Sequence, residues 1–216
     1  MTDARGGGPI DLPVRRLFDL VAEAIAGASA ALLAAEPSTG RTIAEADVQI
    51  DQLTAELEAV VWARIDGGLD SPGALRDMVA VLLMLPELER SADLAEHIAQ
   101  RAASNLGPEL TPRCRGIIQR MADVGVEMWQ AVALAYAERS LRAHALDEAD
   151  EELDILHGRL TDEVGEAQMP APVAAQVTLI ARFYERLGDH AVNLARRIET
   201  LSGAGATARG SPPARG

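Results

Sequence analysis

Two stretches of acidic and apolar residues occur twice in this chain, about 100 residues apart. Residues 43–53 align with 146–156, and both copies carry two aspartates four positions apart among apolar residues. Residues 88–93 align with 184–189 in the same way. The period is too long for a solenoid, whose units usually span ~20–50 residues. The pattern predicts a duplicated three-helix unit, arranged as two bundles or as one elongated six-helix assembly.

The apolar residues are mainly alanine and leucine, a composition that favours helices over sheets. Hydrophobic residues make up 48% of the chain and aromatic residues only 3%. Ser71-Pro72 and Thr111-Pro112 each place a capping residue before a proline at the first helical position. Pro86 falls inside the third predicted helix, where it should kink the helix. The predicted helices cover residues 12–36, 42–66, 72–104, 112–143, 146–167 and 172–201.

The chain ends differ in composition from the helical part. Both are rich in glycine and proline and offer little apolar surface to bury. The predicted organisation is a flexible N-terminal tail at 1–10, a three-helix repeat at 11–104, a linker at 105–110, a second three-helix repeat at 111–202 and a disordered C-terminal tail at 203–216.

The net charge of −13 argues against nucleic-acid binding, because phosphate backbones repel an acidic protein. It favours basic protein surfaces or cations as partners. Cys114 is the one cysteine, so no intramolecular disulfide can form, which fits a reducing cytoplasm. We find no secretion signal and no uncharged run of ~20 residues, so we expect no transmembrane segment.

Four pairs of acidic residues have helical i, i+4 spacing and recur at matched places in both halves. This spacing puts both carboxylates of a pair on one helix face, where like charges repel. A hard or borderline metal ion would relieve the repulsion. The alternative is a lattice of salt bridges in which Arg90 and Arg186 neutralise the carboxylates. The candidate ligands are Asp47, Asp51, Glu89, Asp93, Asp150, Asp154, Glu185 and Asp189.

The segment Glu185-Arg186-Leu187-Gly188-Asp189 and the later Asn193-Leu194 resemble the signature of the PhoU family of phosphate transport regulators, roughly Glu-Arg-Ile-Gly-Asp-x-x-x-Asn-Ile. The first-half copy at 89–98 departs from it, with Ser91-Ala92 in place of Ile-Gly and His97 in place of Asn. The resemblance covers roughly residues 14–202, and therefore both repeats.

This resemblance implies an all-α fold of two three-helix bundles related by pseudo-symmetry. It also implies that the acidic pairs on the second and third helix of each bundle face one another and can hold clusters of iron or zinc. Glu23 and Glu127 would add a ligand from the first helix of each bundle.

The resemblance implies a non-enzymatic function in phosphate homeostasis. The protein would be a negative regulator of the phosphate-starvation response and of phosphate uptake. It would couple the high-affinity phosphate ABC transporter to a sensor histidine kinase by contacting the transporter's ATPase subunit and the kinase. We expect a cytoplasmic protein, held near the membrane by its partners, and a homodimer formed through the alanine-rich first helix.

Two alternatives remain open from the sequence. One is a metal-binding helical bundle with a storage or enzymatic role, although a ferritin-like di-iron site would need two Glu-x-x-His motifs and none occurs. The chain also lacks the common nucleotide-binding and nucleophile motifs. The other alternative is a helical scaffold that shares only the architecture. For His190, the residue after Asp189, we predict a surface or interface position.

Overall fold

The computed structural model describes residues 10–69, 71–138 and 143–201, which form six long α-helices and no β-strand. Apart from Ile10, the two predicted tails lie outside these residues. The fold class predicted from the sequence is confirmed. The helices are α1 (Asp11–Ala34), α2 (Pro37–Asp66), α3 (Pro72–Ala103), α4 (Pro112–Glu138), α5 (Ala143–Glu166) and α6 (Ala171–Leu201), with a short 3₁₀ turn at Gly107–Glu109.

Both predicted capping motifs form. The hydroxyl of Ser71 accepts a hydrogen bond from the backbone N–H of Ala74, and that of Thr111 accepts one from Cys114, each at 3.1 Å. These bonds satisfy N–H groups that the first helical turn leaves without a partner. α3 runs through Pro86 as one helix.

The start of α2 differs from the prediction, because the helix begins at Pro37 rather than at residue 42. Ala35 ends α1 in the left-handed conformation, with φ of 57°, and Pro37 then starts α2. The polar stretch after Pro37 contains Gly40, which looks like a loop residue in the sequence. Gly40 instead lies within α2. Glycine is required there because a Cβ would lie 2.7 Å from the carbonyl oxygen of Ala99 on α3.

The two repeats pack through their first and third helices. Within each repeat the three helices contact one another, and between repeats α1 packs against α4 and α3 against α6. α2 and α5 lie on the outside. The buried apolar side chains of both repeats form a single core, in which Phe18 of α1 stacks on Tyr136 of α4 with ring centroids 5.0 Å apart. Of the two arrangements left open by the sequence, the structure thus has two bundles fused through a common core.

Hydrogen bonds at the centre of the molecule tie the repeats together. The buried hydroxyls of Ser29 in α1 and Tyr184 in α6 lie 2.7 Å apart. Arg115 of α4 donates to the backbone oxygens of Leu33 and Gly107, which joins the end of α1 to the turn between the repeats. These bonds satisfy polar groups that burial would otherwise penalise.

α1 is the one described helix that is long and apolar enough, by composition, to cross a membrane. One face of α1 lies in the protein core, where Leu17, Phe18, Val21 and Ile25 are fully buried, while Leu12 is 74% exposed. A core helix passes the same composition test as a membrane span.

Candidate functional site

The first group of carboxylates lies where α2 and α3 run side by side. One carboxylate oxygen from each of Asp47, Asp93 and Glu96 lies within 4.8 Å of the other two. Asp47 and Glu96 are half-buried and Asp93 is exposed. Glu89 and Asp51 extend the group by one helical turn on their respective helices, because positions four apart share a face. We call Asp47, Asp51, Glu89, Asp93 and Glu96 site 1.

Burial and the neighbouring negative charges raise the pKa values of two carboxylates in site 1. Burial raises the pKa of Asp47 to about 6, and the charges of Asp51, Glu96, Asp93 and Glu89 add to the rise. Burial also raises the pKa of Glu89, assisted by Asp51 and Asp93. The four residues predicted from the first repeat therefore influence one another's charge. Of these four, Asp47 and Asp93 belong to the group that converges within 4.8 Å, and Asp51 and Glu89 do not.

The second group of carboxylates occupies the matching place between α5 and α6. Burial raises the pKa of Asp150 to about 6, and the charges of Asp189, Asp154, Asp147 and Glu185 act in the same direction. The four residues predicted from the second repeat therefore lie near enough to influence one another's charge. Among the described residues, however, no three of their carboxylates converge within 4.8 Å as those of Asp47, Asp93 and Glu96 do in the first repeat. We call Asp150, Asp154, Glu185 and Asp189 site 2.

Gly188 allows the close approach of the two helices at site 2. A Cβ at this position would lie 2.6 Å from Oδ1 of Asp150 and 2.7 Å from Cδ1 of Leu153, both closer than van der Waals contact permits. The glycine of the signature therefore lets the Asp150 carboxylate rest against the backbone of α6. At the equivalent position in site 1 the chain has Ala92, which is buried beside Asp47.

Glu185 presents an unsatisfied oxygen in site 2. Arg182 binds its Oε1 at 2.5 Å, while Oε2 is buried and has no hydrogen-bond donor among the described residues. A buried acceptor without a partner is costly, by about 1–3 kcal/mol or more for a charged group. A cation in site 2 would remove this cost.

The two arginines named in the salt-bridge alternative do not neutralise these sites, and the one ion pair that the described residues make within them joins Arg182 to Glu185. Neither Arg90 nor Arg186 lies within ion-pair distance of a carboxylate among the described residues, and both are exposed. The charge of Arg90 only partly opposes the rise in the pKa of Glu89. Both sites therefore keep an excess of negative charge.

The two sites differ in residues that sequence reasoning missed. Glu96 joins site 1 from α3, three positions after Asp93, while the equivalent position in the second repeat is the buried Val192. Asp147 acts on Asp150 from one turn earlier on α5, where the first repeat has Ala44. In both cases the signal in the sequence was i, i+3 spacing from a predicted ligand.

The two glutamates assigned to the first helices take different positions. Glu23 of α1 lines a cleft of about 210 Å³ together with Asp47 and Glu96, although its carboxylate lies 3.5 Å from Arg16. Glu127 of α4 lines the groove between α1 and α4. The charges that raise the pKa of Asp150 in site 2 come from α5 and α6.

Two histidines lie in the interface between α3 and α6 and not among the carboxylates. Nδ1 of His190 lies 2.9 Å from the hydroxyl of Ser91, so of the two positions predicted for this residue, surface or interface, the structure has the one at an interface between helices. His97 stacks on Phe183, with ring centroids 5.4 Å apart. In the described part of the chain, then, the carboxylate sites offer oxygen ligands, the set preferred by hard cations.

Comparison with known proteins agrees with this duplicated architecture. The family model of the PhoU domain matches the chain twice, at residues 14–102 and 118–198. The phosphate-specific transport system accessory protein PhoU homolog 2 of Mycobacterium tuberculosis is 30% identical over 177 residues, which cover 79% of this chain and 82% of that protein. The PhoU homolog of Rhizobium meliloti is 24% identical over 205 residues, or 93% of this chain and 86% of that protein.

Solved structures show the same fold. The crystal structure of PhoU from Pseudomonas aeruginosa has a TM-score of 0.82 at 23% identity, covering 90% of this chain and 96% of that one. The phosphate transport system regulatory protein PhoU from Streptococcus pneumoniae has a TM-score of 0.77 at 20% identity, covering 90% and 94%. With both repeats matched by the family model, this chain belongs to the PhoU family.

Proposed function

We propose that this protein is a regulator of phosphate transport that acts by contact with other proteins. The observation that carries the proposal is the match of both repeats to the PhoU domain, together with relatives named as accessory proteins of the phosphate-specific transport system. The proposed role is that of an accessory subunit and not of an enzyme. Its place of action is the cytoplasm, next to the membrane that holds the transporter.

In finer terms, we propose a negative regulator that links the high-affinity phosphate ABC transporter to a sensor histidine kinase. It contacts the ATPase subunit of the transporter and the kinase, and it holds the phosphate-starvation response off when phosphate is plentiful. The net charge of −13 supports docking on basic surfaces of such partners, since complementary charge speeds association and selects partners.

Sites 1 and 2 are proposed to bind iron or zinc in a structural or regulatory role. The residues fit a cation: three carboxylates of site 1 converge within 4.8 Å, and Oε2 of Glu185 in site 2 is buried without a donor among the described residues. A bound cation would neutralise the repelling carboxylates and link α2 to α3 and α5 to α6. The alternative of a storage or redox bundle gains no support from the histidines at the interface.

A homodimer is proposed to form along the groove between α1 and α4. Small residues line this groove, among them Ala26 and Ala30 of α1 and Ala133 and Ala137 of α4. Small side chains permit close helix approach, which is why the alanine-rich first helix suggested the dimer.

Disruption of the gene tests the regulatory role. In cells grown with ample phosphate, loss of the protein should switch on the phosphate-starvation genes, and the wild-type gene supplied in trans should switch them off again. A reporter fused to a starvation promoter measures this. Unchanged reporter activity in the disrupted strain under ample phosphate would refute the proposed regulation.

A further inference from the structure

A cleft on the surface where α3 meets α6 combines positive charge with exposed apolar side chains. It has a volume of about 350 Å³ and lies between the N-terminal half of α3 and the C-terminal end of α6. Val79 and Leu83 are 43% and 50% exposed. We call it the arginine cleft, and the residues that matter here are Arg76, Val79, Leu83, Asn193, Arg196 and Arg197.

The positive charge of the arginine cleft stands out in a chain whose net charge is −13. Arg76 is exposed. Arg196 is also largely exposed, and its nearest described acidic group, Asp147, is 3.7 Å away. Arg197 lies 4.0 Å from Glu87. The exposed guanidinium groups of Arg76 and Arg196 keep donor N–H groups for a further acceptor, and their forked geometry suits carboxylates.

The internal repeat shows that the arginine cleft is special to one end of the molecule. At the pseudo-symmetric end, the positions of Arg76, Val79 and Arg196 are taken by Pro172, Ala175 and Gln100. Arg101, the equivalent of Arg197, covers the ring of Phe183 at 5.1 Å. Neither the fold nor the duplication therefore requires this combination of residues.

We propose that the arginine cleft binds an acidic segment of a partner protein, which places an aliphatic side chain against Val79 and Leu83 and its carboxylates on Arg76 and Arg196. The apolar wall and the flanking guanidinium groups together define such a ligand. The inference rests on the proposed function only in that both require a protein partner. The cleft gives the molecule a docking face of opposite charge to its carboxylate sites.

An anionic membrane is the less suitable occupant for two reasons. The net charge of −13 repels an anionic lipid surface as a whole. The cleft is also concave, with Asn193 in its lining between the two helices, whereas a lipid surface would meet a broad convex face. A short acidic segment can enter the cleft without bringing the rest of the protein close to other negative charges.

A selection from random peptides of about 12 residues displayed on phage tests the proposal without reference to phosphate. The wild-type protein should enrich sequences in which Asp or Glu flank Leu or Ile. The selected peptides, synthesised with a fluorophore, should bind roughly tenfold or more weakly to Arg76→Glu/Arg196→Glu, because the charges of the cleft are reversed. Failure to enrich acidic sequences, or equal binding to the variant, would overturn the proposal.

Two further variants make the result specific to the cleft. Arg41→Glu/Arg159→Glu changes the net charge equally at exposed positions on α2 and α5 and should bind the peptides like wild type. Leu83→Ser should weaken binding while it keeps the charges, and circular dichroism establishes that each variant is folded. Vesicles with about 30% anionic lipid test the lipid alternative. The peptide assignment would be overturned in favour of a lipid surface if the wild type bound these vesicles, the peptides did not compete, and Arg76→Glu/Arg196→Glu did not bind. The reporter assay on the disrupted gene reads the proposed function separately.

Discussion

Asp47 and Asp150 occupy matching places in the two repeats, and both have a pKa raised to about 6 by burial and by neighbouring carboxylates. The unfolded chain has the ordinary value of 3.8. Between these two pH values the folded protein binds the proton more tightly than the unfolded chain does. The free energy of unfolding of the metal-free protein therefore falls as the pH rises through about 6 and these residues lose their protons.

We therefore expect Asp150→Asn to stabilise the metal-free protein at about pH 7.5, by about 1 kcal/mol after allowance for screening by solvent. The gain should shrink as the pH is lowered towards the ordinary pKa of aspartate, since wild-type Asp150 is then protonated as well. Urea unfolding at several pH values measures it. Asp162→Asn at an exposed position of α5 serves as the control, and an equal, pH-independent gain there would contradict the explanation.

Removal of two ligands from site 2 should lower the metal content by about half, because site 1 remains intact. The variant is Glu185→Gln/Asp189→Asn, and the matched control is Glu148→Gln/Asp162→Asn at exposed positions of α5. Elemental analysis after purification without chelators or metal-affinity resin gives the ratio of metal to chain. Wild-type protein without metal, or a double variant that keeps the full amount, would refute the metal assignment.

The i, i+4 spacing of the eight predicted carboxylates fixes only which side chains share a helix face. Of the eight, the structure has Asp47 and Asp93 in a converging group, together with Glu96. The sequence misses Glu96 and Asp147, whose participation depends on the rotation of α3 and α5 about their axes. The rotation of α4 likewise decides that Glu127 faces the groove with α1. Packing against other helices sets these rotations, and a single sequence does not reveal them.

The helix starts show which local signals are decisive. Ser71 and Thr111 cap their helices as predicted. In each motif the hydroxyl accepts a hydrogen bond from one free N–H group, and the proline that follows has no N–H group to satisfy. The break between α1 and α2 was placed too late, because it depends on Ala35 in a left-handed conformation and on Gly40 packed against α3. The second of these is a tertiary contact that local sequence does not encode.

The packing of α5 on α6 gives a prediction about Gly188. Gly188→Ala should destabilise the protein by about 1–3 kcal/mol and weaken metal binding at site 2, because the new methyl group would clash with Asp150 and Leu153. Gly158→Ala is the matched control on α5, where a Cβ meets nothing within 4 Å and should be neutral or stabilising. Thermal unfolding compares them, and a Gly188→Ala variant as stable as the control would disprove the close approach.

For the molecule as a whole, the repeat in the sequence predicts two like units but not how they join. The joint is made by α1 on α4 and α3 on α6, and it buries aromatic residues such as Phe18, Tyr136 and Tyr184 in one core. The two copies have diverged at this joint. On α3 the carboxylate of Glu87 pairs with Arg197 of α6. In the other repeat Phe183 takes the place of Glu87, and Arg101, the equivalent of Arg197, lies over its ring. Such differences give the assembled molecule two unlike ends.

The proposed dimer should respond to salt in a characteristic direction. The α1–α4 groove includes Asp19, Glu23, Asp123 and Glu127 among its lining residues, so a second copy would bring like charges together. Raising the salt from about 0.05 to about 0.5 M screens this repulsion and should strengthen the dimer. Sedimentation velocity measures the association. Ala30→Trp should prevent it, and a protein that stays monomeric at both salt concentrations would contradict the dimer.

The most direct test of the regulatory account is to purify the tagged protein from cells grown with ample phosphate and to quantify the accompanying proteins by mass spectrometry. A function by protein contact predicts that the ATPase subunit of the phosphate transporter, or the sensor kinase, is enriched over a control strain with an equally expressed, unrelated tagged protein. If neither protein is enriched while both are detected in the starting lysate, the proposed link between transporter and kinase is wrong.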